Sequence, residues 1–162
     1  MAVSGYSAKQ IWLHWVIAVL IIIQFVLHDG ILAISDAMAK GEEPAMTLIA
    51  RSHIIIGFLI FLLALFRVYV RLTRGAPAAP ADEPAILRFL AGATHLVLYA
   101  ILLVMPLSGA ASWFGGIEAA SFGHFVGKFV LLAFFLLHVV GALYQRFILK
   151  TDVMARMMQA EK

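Results

Sequence analysis

Long apolar runs separated by short polar segments dominate the chain. Four stretches are nearly free of Asp, Glu, Lys and Arg, and each approaches the roughly 20 residues that a helix needs to cross a bilayer. They predict membrane spans at about 10–31, 52–72, 89–111 and 123–146. Within the third, Pro106 and Gly109 predict a kink or the end of the helix. The proline-rich segment 74–88 predicts a surface linker. The pattern as a whole predicts an all-α, integral membrane, four-helix up-down bundle that forms a single domain over residues 1–162.

The composition supports a membrane protein and excludes several kinds of site. Of the 162 residues, 64% are hydrophobic and 13% are charged, whereas about a quarter of the residues of soluble domains are charged. The absence of cysteine excludes disulfides, iron–sulfur clusters and thiolate-bound haem. The basic residues stand singly between apolar segments rather than on one face, so we expect no nucleic-acid partner.

The distribution of Lys and Arg predicts the orientation. Nine of the twelve lie in the N-terminal tail, the second connection and the C-terminal tail. Because cytoplasmic loops carry an excess of these residues, we expect both termini in the cytoplasm. Lys40, Arg51 and Lys128 remain for the opposite side.

The histidines fall into two groups by depth. His124 and His138 are 14 residues apart, as are His14 and His28, a spacing that returns to nearly the same helix face about 21 Å along the axis. The inner group contains His14, His95 and His138, and the outer group contains His28, His53 and His124.

Clusters of imidazoles in an apolar bundle are typical of bis-histidine b-type haem sites. Zinc or copper fits less well because the carboxylates are confined to loops and tails, and a proton relay would need Asp or Glu inside the membrane. The sequence therefore predicts two haem b groups, one in each leaflet. Depth alone leaves the ligands open, since His28 competes with His53, and His95 competes with His14 or His138.

Two cations lie near the predicted haem sites. Arg67 is 14 residues beyond His53, hence on the same face of its span at inner-leaflet depth, where it could pair with a haem propionate or serve as a cytoplasmic anchor. Lys128, one turn from His124, is a similar candidate for the outer haem.

Several sequence segments resemble those of the bacterial cytochrome b561 family over almost the whole chain. They are YSAKQIWLHW around His14, RSHIIIG around His53, THLVLYAILLVMPLSG around His95, the spacing of His124 and His138, and the closing KTDVMARMM. The resemblance implies a dihaem protein of the bacterial inner membrane. It also implies that His14 and His138 ligate the inner haem, that His53 and His124 ligate the outer one, and that His95 lies near a quinone or proton-handling position.

The resemblance implies electron transfer across the membrane to or from ubiquinone. Some members of the family are superoxide:ubiquinone oxidoreductases, which makes this the leading expectation for an enzymatic activity. Lys40, Arg51 and Lys128 could attract superoxide, although acidic residues share their side. The chain departs from its relatives at Tyr144 and Gln145, where they often carry a histidine pair, and this leaves the substrate open. Two alternatives are a haem-bearing membrane anchor for a separate dehydrogenase or hydrogenase subunit, and a haem-free, histidine-lined transporter.

Overall fold

The structure is a computed structural model that describes residues 3–27, 31–34, 37, 40–42, 46–80 and 83–161. Within these ranges the long helices are α1 (Ala8–Val26), α2 (Leu48–Arg74), α3 (Ala85–Gly115) and α4 (Glu118–Phe147), followed by a short α5 (Val153–Arg156). All four long helices have the length and hydropathy of membrane spans, and the described residues contain no strand. The predicted all-α membrane architecture with four spans is confirmed.

Local signals in the sequence set several helix ends. The Ser7 hydroxyl caps α1 by accepting from the backbone N–H of Gln10, whose side chain reaches back to the N–H of Ser7. This reciprocal arrangement satisfies donors that the first helical turn leaves unpaired. The Thr47 hydroxyl caps α2 by accepting from the backbone N–H of Ala50, without a reciprocal partner, and α2 is followed by Gly75, whose φ of 84° favours glycine.

The third helix is longer than the pattern predicts. It continues through Pro106 and Gly109 to Gly115 and is capped by Gly116, which has a left-handed φ of 62°. A proline inside a helix removes the hydrogen bond to the carbonyl four residues earlier, here that of Leu102, and its ring crowds that carbonyl, but the remaining hydrogen bonds of a long apolar helix can compensate. The prediction that these two residues could end the helix was therefore wrong. Only Gly116 and Ile117 separate α3 from α4.

The helices do not pack against one another equally. Close backbone contacts join α3 to α4, α1 to α2, and α2 to α3, whereas α4 has no comparable contact with α1 or α2 among the described residues. A wider seam therefore runs along α4 on the side that faces α1 and α2. The buried apolar core lies beside this seam and consists of Ile17, Ile21, Ile60, Ala64, Leu102 and Leu131.

Both ends of the described chain lie at the same end of the bundle. The backbone N–H of Glu161 donates to the carbonyl of Tyr6 at 2.9 Å. Nearby, the side chain of Gln10 donates to the carbonyl of Gly75, where α2 ends, at 2.9 Å. We call this the terminal end, and the opposite end, where α2 and α4 begin, the distal end. The location of the terminal end in the cytoplasm stays a prediction.

Candidate functional site

The terminal pair consists of His14 and His138. His14 lies in the second turn of α1, and His138 lies nine residues before the end of α4. Their ring centres are 5.9 Å apart, with the ring planes at 69°. The two rings thus meet across the wide seam, where the backbones of α1 and α4 stand apart.

The distal pair consists of His53 and His124. His53 lies in the second turn of α2, and His124 lies in the second turn of α4. Their ring centres are 6.2 Å apart, with the ring planes at 69°. Because His124 and His138 are 14 residues apart on one helix, the two pairs are separated by about 21 Å along the bundle axis. His28, the rival of His53, lies outside the described residues.

Both separations fit a metal atom held between two imidazoles. Imidazole nitrogens bind first-row metals at about 2.0 Å, and a ring nitrogen lies about 1 Å from its ring centre, so an atom in the middle separates the ring centres by about 6 Å. The described residues contain no group of three or more His, Cys, Asp and Glu side chains placed to bind a metal ion. Two imidazoles alone suit a metal whose other ligands come from a macrocycle, as in haem.

His124 is oriented by α3. Its Nδ1 lies 2.9 Å from the carbonyl oxygen of Met105 and 3.1 Å from the hydroxyl of Ser108, which itself donates to the same carbonyl at 2.8 Å. Because a carbonyl oxygen only accepts, Nδ1 carries the ring proton and Nε2 keeps its lone pair. A second hydrogen bond of this kind is what fixes a metal-binding histidine in place.

A glycine makes room for the His124 ring. A Cβ atom placed on Gly109 would lie 3.0 Å from Cε1 of His124 and 3.2 Å from its Nδ1, so any side chain there would press on the imidazole. Gly109 therefore serves a close approach of the two helices and does not end α3. The sequence spacing contains a signal for this contact. Gly109 is seven residues before Gly116, and His124 is seven residues after Ile117, so the two residues lie opposite each other in an antiparallel hairpin.

Arg67 contacts His14 at the terminal end. Its Nη2 lies 3.3 Å from Nδ1 of His14, its Nη1 donates to the carbonyl of Gln10 at 3.0 Å, and its Cζ lies 5.8 Å from the ring centre of Tyr99. A guanidinium only donates, so this contact uses the lone pair of Nδ1 and leaves the proton of a neutral His14 ring on Nε2. Tyr99 and Gln10 are partners of Arg67 that the sequence did not indicate.

His95 joins the terminal pair from α3. Its ring centre lies 5.1 Å from that of His138, about 1 Å less than a metal between two imidazoles requires. His14, His95 and His138 all line a cavity of about 70 Å³. The rest of its wall is mainly apolar and consists of Ile17, Ala18, Ile21, Arg67, Leu98, Tyr99, Leu102 and Phe135.

Lys128 lies one turn beyond His124 on α4. Its Nζ is 5.1 Å from the ring centre of Phe125 and 4.7 Å from that of Phe129. Cation–π contacts of this kind hold the ammonium group along the aromatic side of α4. Lys128 is thus close to His124 in sequence, and the structure places its charge beside the rings of Phe125 and Phe129.

Comparisons with known proteins agree with this architecture. The sequence profile of the family described as prokaryotic cytochrome b561 matches residues 5–160. The chain is similar to the protein named cytochrome b562 of Cereibacter sphaeroides, with 31% identity over 158 residues that cover 96% of each chain.

Two further relatives match at lower identity. One is a Yersinia pestis protein named probable superoxide oxidase CybB, which is 28% identical over 179 residues and covers 97% of each chain. The other is the Escherichia coli K12 protein named cytochrome b561 homolog 1, which is 24% identical over 180 residues covering 98% of this chain and 99% of that protein.

Proposed function

Because the chain belongs to the prokaryotic cytochrome b561 family of haem b-binding membrane electron-transfer proteins, we propose that it carries two haem groups, one at each histidine pair. His14 and His138 would ligate the haem at the terminal end, and His53 and His124 the haem at the distal end. Bound haem iron supplies one-electron oxidation and reduction. Two such centres in one bundle would form a path for electrons from one side of the membrane to the other.

The observation that carries this proposal is the spacing of the rings. The separations of 5.9 Å and 6.2 Å both suit an iron atom between two imidazoles. The alternative pair of His95 and His138, at 5.1 Å, is too close. This difference favours His14 over His95 as the partner of His138, a choice that depth in the membrane leaves open.

The chain's own residues would prepare both sites. At the distal end, the Met105 carbonyl and the Ser108 hydroxyl hold His124 with Nε2 available to the iron. At the terminal end, ligation of His14 through Nε2 would require the ring proton on Nδ1, which would then no longer accept from Arg67. The guanidinium would then need a different acceptor, and a haem propionate is an anion of the right charge and shape. Lys128, whose Nζ lies beside Phe125 and Phe129, is the candidate cation for the propionates of the distal haem.

We further propose that electrons pass from superoxide to ubiquinone. Two superoxide anions would each give up one electron and leave as dioxygen, and ubiquinone would take up both electrons and two protons to become ubiquinol. The resemblance to the Yersinia pestis superoxide oxidase supports this reaction. Lys40, Arg51 and Lys128 would attract the anionic donor to the distal end.

His95 is the proposed quinone or proton-handling residue. It lines the cavity of the terminal end together with Arg67 and Tyr99. We assign the iron of the terminal haem to its neighbours His14 and His138, so His95 is not needed as a ligand. That cavity is also lined by His14 and His138, so it belongs to the proposed haem site. We place the quinone next to it, where the His95 imidazole could form a hydrogen bond with one of the two carbonyl oxygens of the quinone. We place the protein in the bacterial inner membrane with the terminal end in the cytoplasm, where protons for ubiquinone would enter.

The experiment is to purify the full chain, count haem per chain, and supply superoxide together with a soluble ubiquinone. We expect two haems per chain, a reduced-minus-oxidised spectrum of b type, and ubiquinol formation that superoxide dismutase suppresses. Two haems without ubiquinol formation would contradict the superoxide reaction, and copurification with a redox subunit would then favour the membrane-anchor alternative. A folded, colourless protein from haem-replete cells would contradict the whole proposal.

A further inference from the structure

The segment that follows α4 folds back over the terminal end of the bundle. Residues 148–161 include α5 and run between the N-terminal segment and the linker before α3. The guanidinium of Arg156 donates to the carbonyl of Ala78 in the linker at 2.9 Å. The backbone N–H of Glu161 donates to the carbonyl of Tyr6 at 2.9 Å. The segment is therefore tied to two other parts of the chain.

The carboxylate of Glu161 fastens the end of this segment. It accepts hydrogen bonds from the hydroxyl of Ser4 and from the guanidinium of Arg74, the last residue of α2. The Ser4 hydrogen bond, together with Arg74, lowers the pKa of the Glu161 carboxyl below its usual value. Asp152 and Arg156, which line a surface pocket together with Glu161, form their own ion pair at 2.9 Å. At neutral pH the Glu161 carboxylate is charged and can accept from both Ser4 and Arg74.

Trp15 links the segment to the terminal pair. Its indole Nε1–H donates to the backbone carbonyl of Met157 at 2.9 Å. Its ring centre lies 5.1 Å from that of the neighbouring His14, with the two planes at 77°. An indole N–H can only donate, so the hydrogen bond to the Met157 carbonyl restrains the indole ring that lies beside His14.

We propose that residues 148–161 form a cover over the terminal haem site, and that Trp15 is a positioning residue through which this cover sets the orientation of His14. The inference rests on the proposed ligand role of His14. A cover of this kind limits the access of water to the site and fixes the imidazole plane, and both properties tune a haem held by histidine. The distal site has no part in these contacts and serves as an internal reference.

The test compares the purified full-length protein with Trp15→Phe, which keeps an aromatic ring and removes the donor. The matched control is Trp12→Phe, because Trp12 lies three residues earlier on α1 and is 58% exposed, against 41% for Trp15. We would measure transfer of haem to apomyoglobin and the low-temperature electron paramagnetic resonance spectrum of the oxidised protein. Signals are assigned to the two sites from the His14→Ala and His124→Ala variants.

We expect Trp15→Phe to release the terminal haem about 2- to 10-fold faster, the range for one hydrogen bond, and to shift the resonance of that haem alone. Trp12→Phe should change neither property. Glu161→Ala tests the same cover at a residue that has no contact with the site, and it should shift the resonance of the terminal haem in the same direction. The double variant of Trp15→Phe and Glu161→Ala should differ little from Trp15→Phe alone.

Unchanged release and resonance in both Trp15→Phe and Glu161→Ala would overturn the inference while leaving the haem proposal intact. Equal changes at the two haems would also overturn it, because they would indicate a general loosening of the bundle. If His14→Ala kept both haems, the proposed ligand set would fail instead, and the spectra would show this independently of the cover.

Discussion

At the scale of single residues, the two proposed haem sites differ in how their histidines are held. His124 already has its Nδ1 proton bound by the Met105 carbonyl, so its ring needs no rearrangement to offer Nε2. Nδ1 of His14 instead contacts the guanidinium of Arg67. That contact must break before Nδ1 can carry the ring proton and Nε2 can offer its lone pair. Since rearrangement lowers affinity, the distal site should fill with haem more readily than the terminal site.

Single ligand substitutions should separate the two sites. Replacing His138 by Ala should remove the terminal haem and lower the haem content from two per chain to one, with the distal spectrum largely retained. Replacing His124 by Ala should have the reciprocal effect. Pyridine haemochrome analysis and reduced-minus-oxidised spectra of the purified variants measure both. His95→Ala is the control, since it removes a nearby imidazole that we do not assign to iron, and it should retain both haems.

Loss of a haem in His95→Ala, together with two haems in His14→Ala, would reverse the assignment of these two residues. His95→Ala should otherwise slow only the reduction of ubiquinone.

Arg67 should tune the terminal haem through its charge. A nearby positive charge disfavours the ferric state, so Arg67→Met should lower the midpoint potential of the terminal haem by tens of millivolts, on the order of 1 kcal/mol. Arg71→Met is the control, because Arg71 is exposed one turn further along the same helix. Spectroelectrochemical titration measures both potentials. An equal shift in the two variants would show that Arg67 acts as a general surface charge, in agreement with the cytoplasmic-anchor alternative.

At the scale of helices, the hairpin of α3 and α4 determines the distal site. Its connection is only two residues long, so the register between the helices is fixed and places Gly109 against His124. The apolar pattern predicted that these helices exist, but it could not predict how far they extend. Pro106 predicted a possible end of α3 because the sequence pattern reflects only local helix propensity. The observed helix is stabilised by hydrogen bonds along its whole apolar length.

Gly109→Ala should impair haem binding at the distal site. The added methyl group would lie 3.0 Å from the His124 ring, so either the ring or the helix must move. Gly92→Ala is a matched control on the same helix, since a Cβ there has nothing within 4 Å. Both substitutions favour the helical conformation by roughly 0.5–1 kcal/mol, so only the contact distinguishes them. We expect reduced distal haem occupancy in Gly109→Ala and full occupancy in Gly92→Ala, measured by haem content. Full occupancy in both would contradict the role of Gly109.

At the scale of the whole molecule, the bilayer explains why the architecture could be predicted from sequence. In hydrocarbon every backbone polar group must be bonded internally, so apolar runs of this length leave a helix as the only solution. The lateral arrangement is a different matter. Depth along the membrane normal follows from counting residues, but the proposal of His14 rather than His95 as the second ligand beside His138 depends on which helices face each other across the seam. No periodicity within one helix contains that information.

The orientation of the bundle can be tested because the chain has no cysteine. Lys40→Cys and Ala79→Cys place single thiols at exposed positions at the distal and terminal ends. If the terminal end is cytoplasmic, a membrane-impermeant maleimide should label Lys40→Cys in spheroplasts, and Ala79→Cys only after lysis. Neither substitution touches the histidine pairs, so haem content provides a control for folding. The reverse labelling pattern would place the distal pair beside the cytoplasm and contradict the entry of electrons from periplasmic superoxide, even if both haems were present.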